Sequence, residues 1–319
     1  MNQLRKDYLL NRWVIIAKKR GKRPHDFFQI SRTKRMEGVC SFCPGNEHMT
    51  PPEIDRVEEA GEWIIRCFPN KFPATVREKG LSKRNLLTKM SAYGIHEIIV
   101  ETPEHDVELG DLSFEHIRKI LDMYIKRLIE IKKDRKIKYV SIFKNKGEIA
   151  GASIEHSHTQ IIAIPIIPPI IRAELNAIKR YKRGKNRCIL CDIWKMEMKS
   201  RRKIFEDKYI AAFAPYASIS PFEVWIMPKN HVPSLERLSS KEKDSFAKTL
   251  KIILDVLNKT LNYPPYNFYF HLSPDKEDMH LHLELLPRLS KWGGFELSNN
   301  IIINTMSPEM AAKHYRDEI

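Results

Sequence analysis

The feature that most constrains the fold is an ordered set of motifs that occurs twice along the chain. Each set starts with a C-x-x-C pair and continues through a strand-like run that ends in a turn with proline and histidine. A helix, a strand and a His-x-His motif follow in the same order. The turn histidine and the first motif histidine are 51 residues apart in the first set (His105 to His156) and 49 in the second (His231 to His280). Such matched spacing predicts an internal duplication.

The repeated order of elements also predicts the fold class. Ser113 can cap one amphipathic helix, and Ser239 with a glutamate three residues later can cap the corresponding helix of the second half. Alternating apolar runs on either side of each helix indicate strands. We therefore predict an α+β fold of two duplicated halves, 1–170 and 171–319. Each half is expected to be a mostly antiparallel sheet with one main helix, and the junction lies near Pro168–Lys185.

Length and composition narrow the class of protein. A chain of 319 residues is long enough for two halves of this kind, and a charged fraction of 30% is typical of a soluble globular protein. No apolar stretch reaches membrane-spanning length, and Met1–Arg12 is too polar for a signal peptide. We expect a cytoplasmic protein without a membrane partner. Glutamine is rare, which favours a thermophilic source. The rarity also indicates that Gln160 has a specific role.

The net charge of +15 raises the question of nucleic-acid binding. Basic residues cluster at Lys18–Arg23, Lys132–Lys138, Lys179–Arg187 and Arg201–Lys203. Apart from Tyr181, these clusters lack interleaved aromatic residues, and they fall where turns and helix ends are expected. We interpret them as solvated faces whose field attracts small anionic substrates, and we expect no nucleic-acid partner. A zinc-stabilised nucleic-acid-binding protein is the alternative of another class.

The cysteines indicate metal sites. Cys67 stands alone in an apolar run, where a buried small hydrophobe is expected, whereas the other four cysteines form C-x-x-C pairs. Paired cysteines at this spacing in a cytosolic chain favour metal over disulfide, and zinc prefers four such ligands in a tetrahedron. The first half offers Cys40, Cys43, His105 and His156, and the second offers Cys188, Cys191, His231 and His280. We expect two structural zinc sites, because four protein ligands leave no open position.

Another set of ligands competes for one of these histidines. Its members, which could converge if the two histidine strands approach, are Glu174, His271, His280 and His282. His280 cannot serve both sites. We favour the cysteine site, because thiolates bind zinc strongly and the first half has the same ligand pattern.

The first His-x-His motif carries the candidate chemistry. Alternation along an extended backbone places His156, His158 and Gln160 side by side on one face. The His158 imidazole is the candidate nucleophile, and the His156 carbonyl can orient its other nitrogen. Gln160 can donate to a phosphate oxygen without titrating. The preceding loop holds Asn145 and Ser153 together with Gly147 and Gly151, and its side chains and backbone N–H groups can hold phosphate.

The segment from Phe143 to Gln160, with F-K-N-K-G, G-A-S and H-S-H-T-Q, resembles the active-site signature of the galactose-1-phosphate uridylyltransferase family. That family belongs to the histidine-triad superfamily, so the predicted halves are histidine-triad-like. The family usually has proline between the two histidines, where this chain has Ser157. The serine variant also resembles the plant ADP-glucose phosphorylase branch. The resemblance extends over nearly the whole chain, including the duplication.

The resemblance implies a role for each matching residue. His158 would become nucleotidylated, and the phosphate contacts would be Gln160, Ser153 and Asn145. The nucleoside would meet Phe68, Asn70 and Phe72, and a hexose would meet the segment with Phe295 and Glu296. The family implies zinc at the first cysteine set, and in some members an iron-type site at Glu174, His271, His280 and His282. It also implies a homodimer whose active site is completed by the second subunit.

The resemblance predicts a nucleotidyltransferase that exchanges UDP-glucose with galactose 1-phosphate, or another hexose 1-phosphate, through a nucleotidyl-histidine at His158. Two departures keep a second activity open. Lys71 stands where the uridylyltransferases have an acid, and Ile302 stands where they have a hexose-binding glutamine. The alternative within the same chemistry is a phosphorylase of an NDP-sugar such as ADP-glucose, or of a dinucleotide, with inorganic phosphate as the acceptor.

Overall fold

The computed structural model describes residues 1–17, 38–77, 81–84 and 87–319, and the basic cluster at Lys18–Arg23 lies outside these ranges. Its strands are β1 (Gln3–Lys6), β2 (Trp13–Ile16), β3 (Asp55–Glu59), β4 (Glu62–Pro69), β5 (Leu81–Arg84), β6 (Leu87–Met90), β7 (Ile95–Val100), β8 (Tyr139–Lys146), β9 (His158–Ile164), β10 (Lys203–Glu206), β11 (Ile210–Phe213), β12 (Val224–Pro228), β13 (Tyr266–His271), β14 (His282–Pro287) and β15 (Ile301–Asn304). Its α-helices are α1 (Phe114–Lys132), α2 (Pro169–Lys185), α3 (Ile189–Glu197), α4 (Ser240–Leu261), α5 (Gly294–Asn299) and α6 (Pro308–Glu318).

The duplication is visible in the order of one ten-stranded sheet. The strands run β10-β11-β12-β14-β13-β8-β9-β7-β4-β3. Outward from the central antiparallel pair β8 and β13, the sequence β9-β7-β4-β3 on one side corresponds to β14-β12-β11-β10 on the other. The pairs between neighbouring strands are antiparallel throughout this sheet. The predicted α+β fold with duplicated antiparallel halves is confirmed.

The two long helices pack on one face of this sheet. The other face, called the open face below, carries the site and is covered in part by α2 and α3. Ser113 caps α1 by accepting from the His116 backbone N–H, and Ser239 with Glu242 forms the predicted capping box of α4. The buried sides of both helices join the inward-facing strand residues in one hydrophobic core. Both main helices begin at the predicted caps.

The junction between the halves is a helix rather than a linker. The predicted junction Pro168–Lys185 coincides with α2, which starts with Pro169 in its first turn and buries Ile171, Leu175 and Ile178. These apolar residues recur at helical spacing, so the sequence held a signal for this helix. The strands β1 and β2 form a separate sheet with the C-terminal strand β15. The boundary at residue 170 stays a prediction.

The two C-x-x-C pairs lie in different local structures. Cys40 and Cys43 lie in a turn, whereas Cys188 precedes α3 and Cys191 lies in its first turn. The lone Cys67 is fully buried on β4, as predicted. None of the helices in the described ranges is both long and apolar enough to cross a membrane.

Candidate active site and metal clusters

The open face of the sheet carries the predicted nucleophile. Strand β9 begins at His158, and its alternation puts His158 and Gln160 on the same face. Register pairs Gln160 with Phe143 on β8 and with Ile98 on β7, and Ile98 with Phe68 on β4. His156 precedes the strand, and its ring lies in the first cysteine cluster. The two motif histidines therefore have different surroundings, as the sequence predicted.

His158 has the geometry of a neutral nucleophile. Its Nδ1 lies 2.8 Å from the carbonyl oxygen of His156, so Nδ1 carries the proton and Nε2 keeps its lone pair. The side chain is only 5% exposed. Burial, followed by the nearby Lys144 ammonium, lowers the pKa of His158 to about 4. An imidazole held in this tautomer can attack phosphorus through Nε2 while the His156 carbonyl accepts a hydrogen bond from Nδ1–H.

A buried charged network lies behind the nucleophile strand, on the face covered by the helices. Lys144 Nζ lies 2.5 Å from Glu101 Oε2, 2.8 Å from Ser157 Oγ and 3.3 Å from the carbonyl oxygen of His158. Glu101 also accepts from Ser157 at 2.7 Å and from Thr159 at 2.5 Å. The sequence patterns above did not predict this network. Its signal was a lysine and a glutamate that directly follow mostly apolar runs, because a buried charge needs a partner.

The serine at position 157 has a structural use in this network. Its hydroxyl donates to Glu101 and accepts from Lys144, so it joins both members of a fully buried ion pair. Ser157 also accepts a hydrogen bond from the Glu101 N–H through its backbone carbonyl. The residue that departs from the family pattern is thus fixed on both its backbone and its side chain.

Two carboxamides on the open face have their oxygen atoms occupied by internal donors. Gln160 Oε1 lies 2.9 Å from His96 Nε2, and Asn145 Oδ1 accepts from Asn267 Nδ2 at 2.8 Å. Asn267 is in turn held by Arg288, which donates to its oxygen at 3.1 Å. Each carboxamide therefore directs its NH₂ group away from the internal donor, and the NH₂ group of Asn145 lies 3.5 Å from the Gly151 carbonyl oxygen. Amide hydrogens beside an imidazole lone pair suit an anion such as phosphate.

The glycine loop uses part of its own backbone donors internally. Gly147 and Gly151 have the positive φ values of 80° and 90° that turns of this kind require. The N–H groups of Ala150 and Ala152 donate to the Gly147 carbonyl, and the Gly151 N–H donates to Glu148. These three backbone donors are used within the turn, and the predicted phosphate contacts of the remaining loop groups stay a prediction. Ser153 is exposed beyond the turn, and its phosphate contact stays a prediction.

The predicted nucleoside segment lies beside Gln160. Asn70 contacts His96 through its side chain and its backbone N–H, and Asn70 Oδ1 accepts from the Phe72 N–H at 2.8 Å. Phe72 is 83% exposed, whereas Phe68 is buried edge-on against Phe42 at 5.5 Å between ring centroids. Phe72 is thus the ring with an open face for a base. The roles of Phe68, Asn70 and Phe72 stay predictions.

The predicted hexose segment lies at the start of α5. Glu296 accepts from the Gly293 N–H at 3.0 Å and so caps this short helix, while the adjacent Phe295 ring is 45% exposed. A cavity of roughly 500 Å³ extends along the open face of the sheet, and its lining includes Asn145, Arg288 and Trp292. Phe295 and Glu296 are not among its lining residues. Their contact with a hexose stays a prediction.

Both predicted cysteine clusters assemble, each from three separate segments that supply four ligands. In the first, Cys43 Sγ lies 3.3 Å from His105 Nδ1 and 3.5 Å from His156 Nδ1, and Cys40 Sγ lies 3.7 Å from His156 Nδ1. Tetrahedral zinc with ordinary bond lengths separates sulfur and nitrogen ligands by roughly 3.5 Å. The His156 Nε2 lies 2.7 Å from the Thr102 carbonyl, the kind of outer contact that orients a ligand. The residues fit a closed zinc site.

The second cluster repeats this geometry. Cys191 Sγ lies 3.4 Å from both His231 Nδ1 and His280 Nδ1, and the Cys188 side chain completes the group. His231 Nε2 lies 2.7 Å from Asp278 Oδ1. In both clusters Nδ1 faces the thiolates, and in His156 and His231 the other nitrogen meets an oxygen acceptor. The residues fit a second closed zinc site.

The competing ligand set has a different fourth member from the one predicted. His280 lies in the cysteine cluster, and the buried group that forms instead contains Glu174, His271, His282 and Glu284. Glu284 takes this place because β14 alternation turns His282 and Glu284 to the same face, whereas His280 precedes the strand. His271 Nδ1 lies 2.9 Å from Glu174. Although burial opposes it, the charges of Glu174 and then Glu284 raise the pKa of His271 to about 9, so His271 and Glu174 can pair as ions when no metal is bound.

The fold and the site define a class of proteins in which two similar α+β halves share one sheet, and in which one half carries a strand histidine beside outward-facing amide donors. The family model of the galactose-1-phosphate uridyl transferase N-terminal domain matches residues 1–168, and a model of a domain of unknown function, DUF4921, matches residues 96–318. The chain belongs to the galactose-1-phosphate uridylyltransferase family.

Relatives with two different activities align over almost the whole chain. The ADP-glucose phosphorylase of Arabidopsis thaliana is 36% identical over 99% of this chain and 92% of its own length. The galactose-1-phosphate uridylyltransferase of Thermotoga maritima is 29% identical over 99% of this chain and 98% of its own. A crystal structure of the Arabidopsis phosphorylase with bound ADP-glucose superposes with a TM-score of 0.85, at 34% identity and 99% coverage of both chains.

Proposed function

We propose that the chain is a nucleotidyltransferase that forms a covalent nucleotidyl-histidine at His158 from a nucleoside-diphosphate hexose. The observation that carries this proposal is a neutral imidazole whose Nδ1 is held by the His156 carbonyl, beside the outward-facing amides of Gln160 and Asn145. His158 Nε2 attacks the α-phosphorus, and the bond to the β-phosphate oxygen breaks, so hexose 1-phosphate leaves. An acceptor phosphate then attacks the same phosphorus and releases the histidine.

Among the donors and acceptors, we favour ADP-glucose and inorganic phosphate, which would make the overall reaction a phosphorolysis. Two features support this choice. The identity to the plant ADP-glucose phosphorylase is 36%, against 29% to the bacterial uridylyltransferase. Ile302, where the uridylyltransferases have a hexose-binding glutamine, is 2% exposed in a cluster with Val14 and Ile16, so it offers nothing to an acceptor sugar.

The second candidate is the uridylyltransferase reaction, in which UDP-glucose is the donor and galactose 1-phosphate, or another hexose 1-phosphate, is the acceptor. The uridyl transferase model that matches residues 1–168 supports it, because those residues include the whole nucleophile motif. The nucleic-acid-binding alternative has less support, because the relatives that align over almost the whole chain are enzymes that act on nucleotide sugars. A homodimer and a cytoplasmic location stay predictions.

Incubation with each donor followed by intact-mass measurement tests the proposal. We expect ADP-glucose to add one adenylyl group to the wild-type chain and none to His158→Ala, because the variant has no nucleophile at this position. UDP-glucose is expected to give little or no adduct. Inorganic phosphate should then discharge the adenylyl adduct and yield ADP, while galactose 1-phosphate should not.

Each contrary outcome has a separate meaning. A uridylyl adduct that galactose 1-phosphate discharges would replace the phosphorylase with the uridylyltransferase. An adduct that persists in His158→Ala would remove His158 from its role. No adduct with either donor would contradict nucleotidyl transfer from these two sugars.

We further propose that the two cysteine clusters hold zinc and that their role is to fix the chain. Metal analysis of the purified protein is expected to give two zinc ions per chain. The clusters use eight different residues, and His280 belongs to only one of them. A third metal, or iron, would show that the Glu174 and His271 group also binds an ion, in place of its internal ion pair.

A further inference from the structure

The side chain of His96 connects the predicted nucleoside segment with the predicted phosphate contact. It is 8% exposed on β7, on the same face of the sheet as Gln160. The Ala74 N–H donates to His96 Nδ1 at 3.1 Å. With its Nδ1 lone pair used in this way, a neutral His96 carries its proton on Nε2.

The position of that proton decides which contact of Nε2 is a hydrogen bond. Gln160 Oε1 lies 2.9 Å from Nε2 and accepts a hydrogen bond from Nε2–H. Asn70 Nδ2 lies 3.1 Å from the same nitrogen, but it carries hydrogens of its own and cannot accept. The Phe72 N–H donates to Asn70 Oδ1 and so fixes that amide. The hydrogen bond from His96 Nε2–H therefore goes to Gln160 Oε1.

Gln160 could in principle present either end of its carboxamide to a ligand. Its oxygen would repel a phosphate oxygen, whereas its NH₂ group would donate to it. The two orientations of the carboxamide differ by a rotation of about 180°, so a second contact is needed to make one of them more stable. The His96 donor makes the state with the oxygen turned inward the favoured one, without any change of charge at the site.

We propose that His96 is a positioning residue that sets the amide orientation of Gln160 and makes it depend on the packing of the 70–74 segment. This inference rests on the proposed nucleotidyl transfer and deepens it. Asn70 donates its backbone N–H to the His96 carbonyl at 2.8 Å, so the same short segment contacts both ends of His96. When the nucleoside of a bound substrate packs against the 70–74 segment, it therefore also fixes the Gln160 amide that donates to the α-phosphate of the same substrate.

A double-mutant cycle tests the coupling, with the rate of adduct formation at saturating donor as the readout. His96→Phe keeps a ring but removes the donor, and we expect it to slow adduct formation about 10–100-fold, because one oriented donor to a developing oxyanion contributes about 10²–10³. Gln160→Ala should slow it by at least as much. The double variant should match Gln160→Ala within a factor of about 2, because His96 acts through Gln160.

His96→Gln is the matched control, because a glutamine amide can replace the Nε2 donor. We expect it to recover most of the rate lost in His96→Phe. If the two single effects multiply in the double variant, or if His96→Gln is as slow as His96→Phe, His96 acts only through packing and the proposal fails while nucleotidyl transfer stands.

The same cycle is measured on the affinity for ADP by calorimetry, which does not depend on turnover. The single effects should again be non-additive. A chain that forms no adduct but shows this coupling in ADP binding would contradict the proposed function and support the role of His96. An ADP affinity that His96→Phe leaves unchanged would overturn the positioning role.

Discussion

Cys40→Ser is expected to release one zinc ion, lower the melting temperature and slow adduct formation at least about 100-fold. The first cluster includes His156, and the carbonyl of that same residue holds His158 Nδ1 at 2.8 Å. A displacement of about 1 Å at a reacting group costs roughly 10²-fold in rate. Metal content, thermal unfolding and the adduct rate are measured on the same preparation.

Cys188→Ser is the matched control that the duplication supplies. It removes the equivalent thiolate from a cluster of the same ligands, so it should also lose one zinc ion and melt at a lower temperature. No ligand of the second cluster belongs to the nucleophile motif, so the adduct rate should change by less than about 10-fold. Equal losses of rate in the two variants, or an unchanged zinc content in Cys40→Ser, would show that the first cluster does not hold the nucleophile.

Lys144→Met is expected to lower the free energy of unfolding by about 3–5 kcal/mol, the usual cost of removing one partner from a buried ion pair. Lys144 and Glu101 are both buried, 2.5 Å apart, and methionine keeps the apolar stem while removing the charge. The adduct rate should fall as well, because Lys144 contacts the His158 carbonyl and the Ser157 hydroxyl. Urea unfolding measures the first effect and the intact-mass assay the second.

Two further variants distinguish the effect of breaking the buried ion pair from the effect of removing any lysine charge. Lys133 pairs with Glu130 on an exposed face, and Lys133→Met should change stability by less than about 1 kcal/mol. Adding Glu101→Gln to Lys144→Met removes the unpaired carboxylate and should restore part of the loss. A Lys144→Met protein as stable as wild type would contradict the buried-pair explanation.

The pH dependence of stability should follow the same pair. Burial opposes the charged form of Glu101, but Lys144 and the hydroxyl donors outweigh it and lower the pKa of Glu101 below its usual 4.5. A carboxyl group whose pKa is lower in the folded state than in the unfolded state stabilises the fold at pH values above its unfolded-state pKa. This stabilisation is lost as the pH falls through the folded-state pKa. Wild type should therefore lose more stability than Lys144→Met below about pH 4.5.

The repeated motifs predicted the fold well because each element has a local signal. The caps at Ser113 and Ser239 and the alternation around His158 are properties of neighbouring residues, and each has the expected structure. The ligand sets of both cysteine clusters were also predictable, because duplicated spacing restricts which histidines can meet which thiolates.

The errors and omissions came from contacts that depend on how distant elements meet. The sequence does not show that β14 starts after His280, and that start decides whether His280 or Glu284 joins His271. It also does not show that the loop after Gly147 satisfies its own N–H groups. The Lys144 and Glu101 pair and the His96 contact each join strands whose neighbours are fixed only by the complete sheet.

The mirrored strand order gives His282 the position in the second half that His158 has in the first, but the surrounding charge differs. Glu284 stands in place of Gln160, and His271 and Glu174 lie beside it as an internal ion pair. A carboxylate at the equivalent of the amide repels phosphate instead of donating to it. The two halves therefore share one strand order but differ in charge: the first presents an amide that suits an anion, and the second has a carboxylate at the corresponding position, next to an internal ion pair.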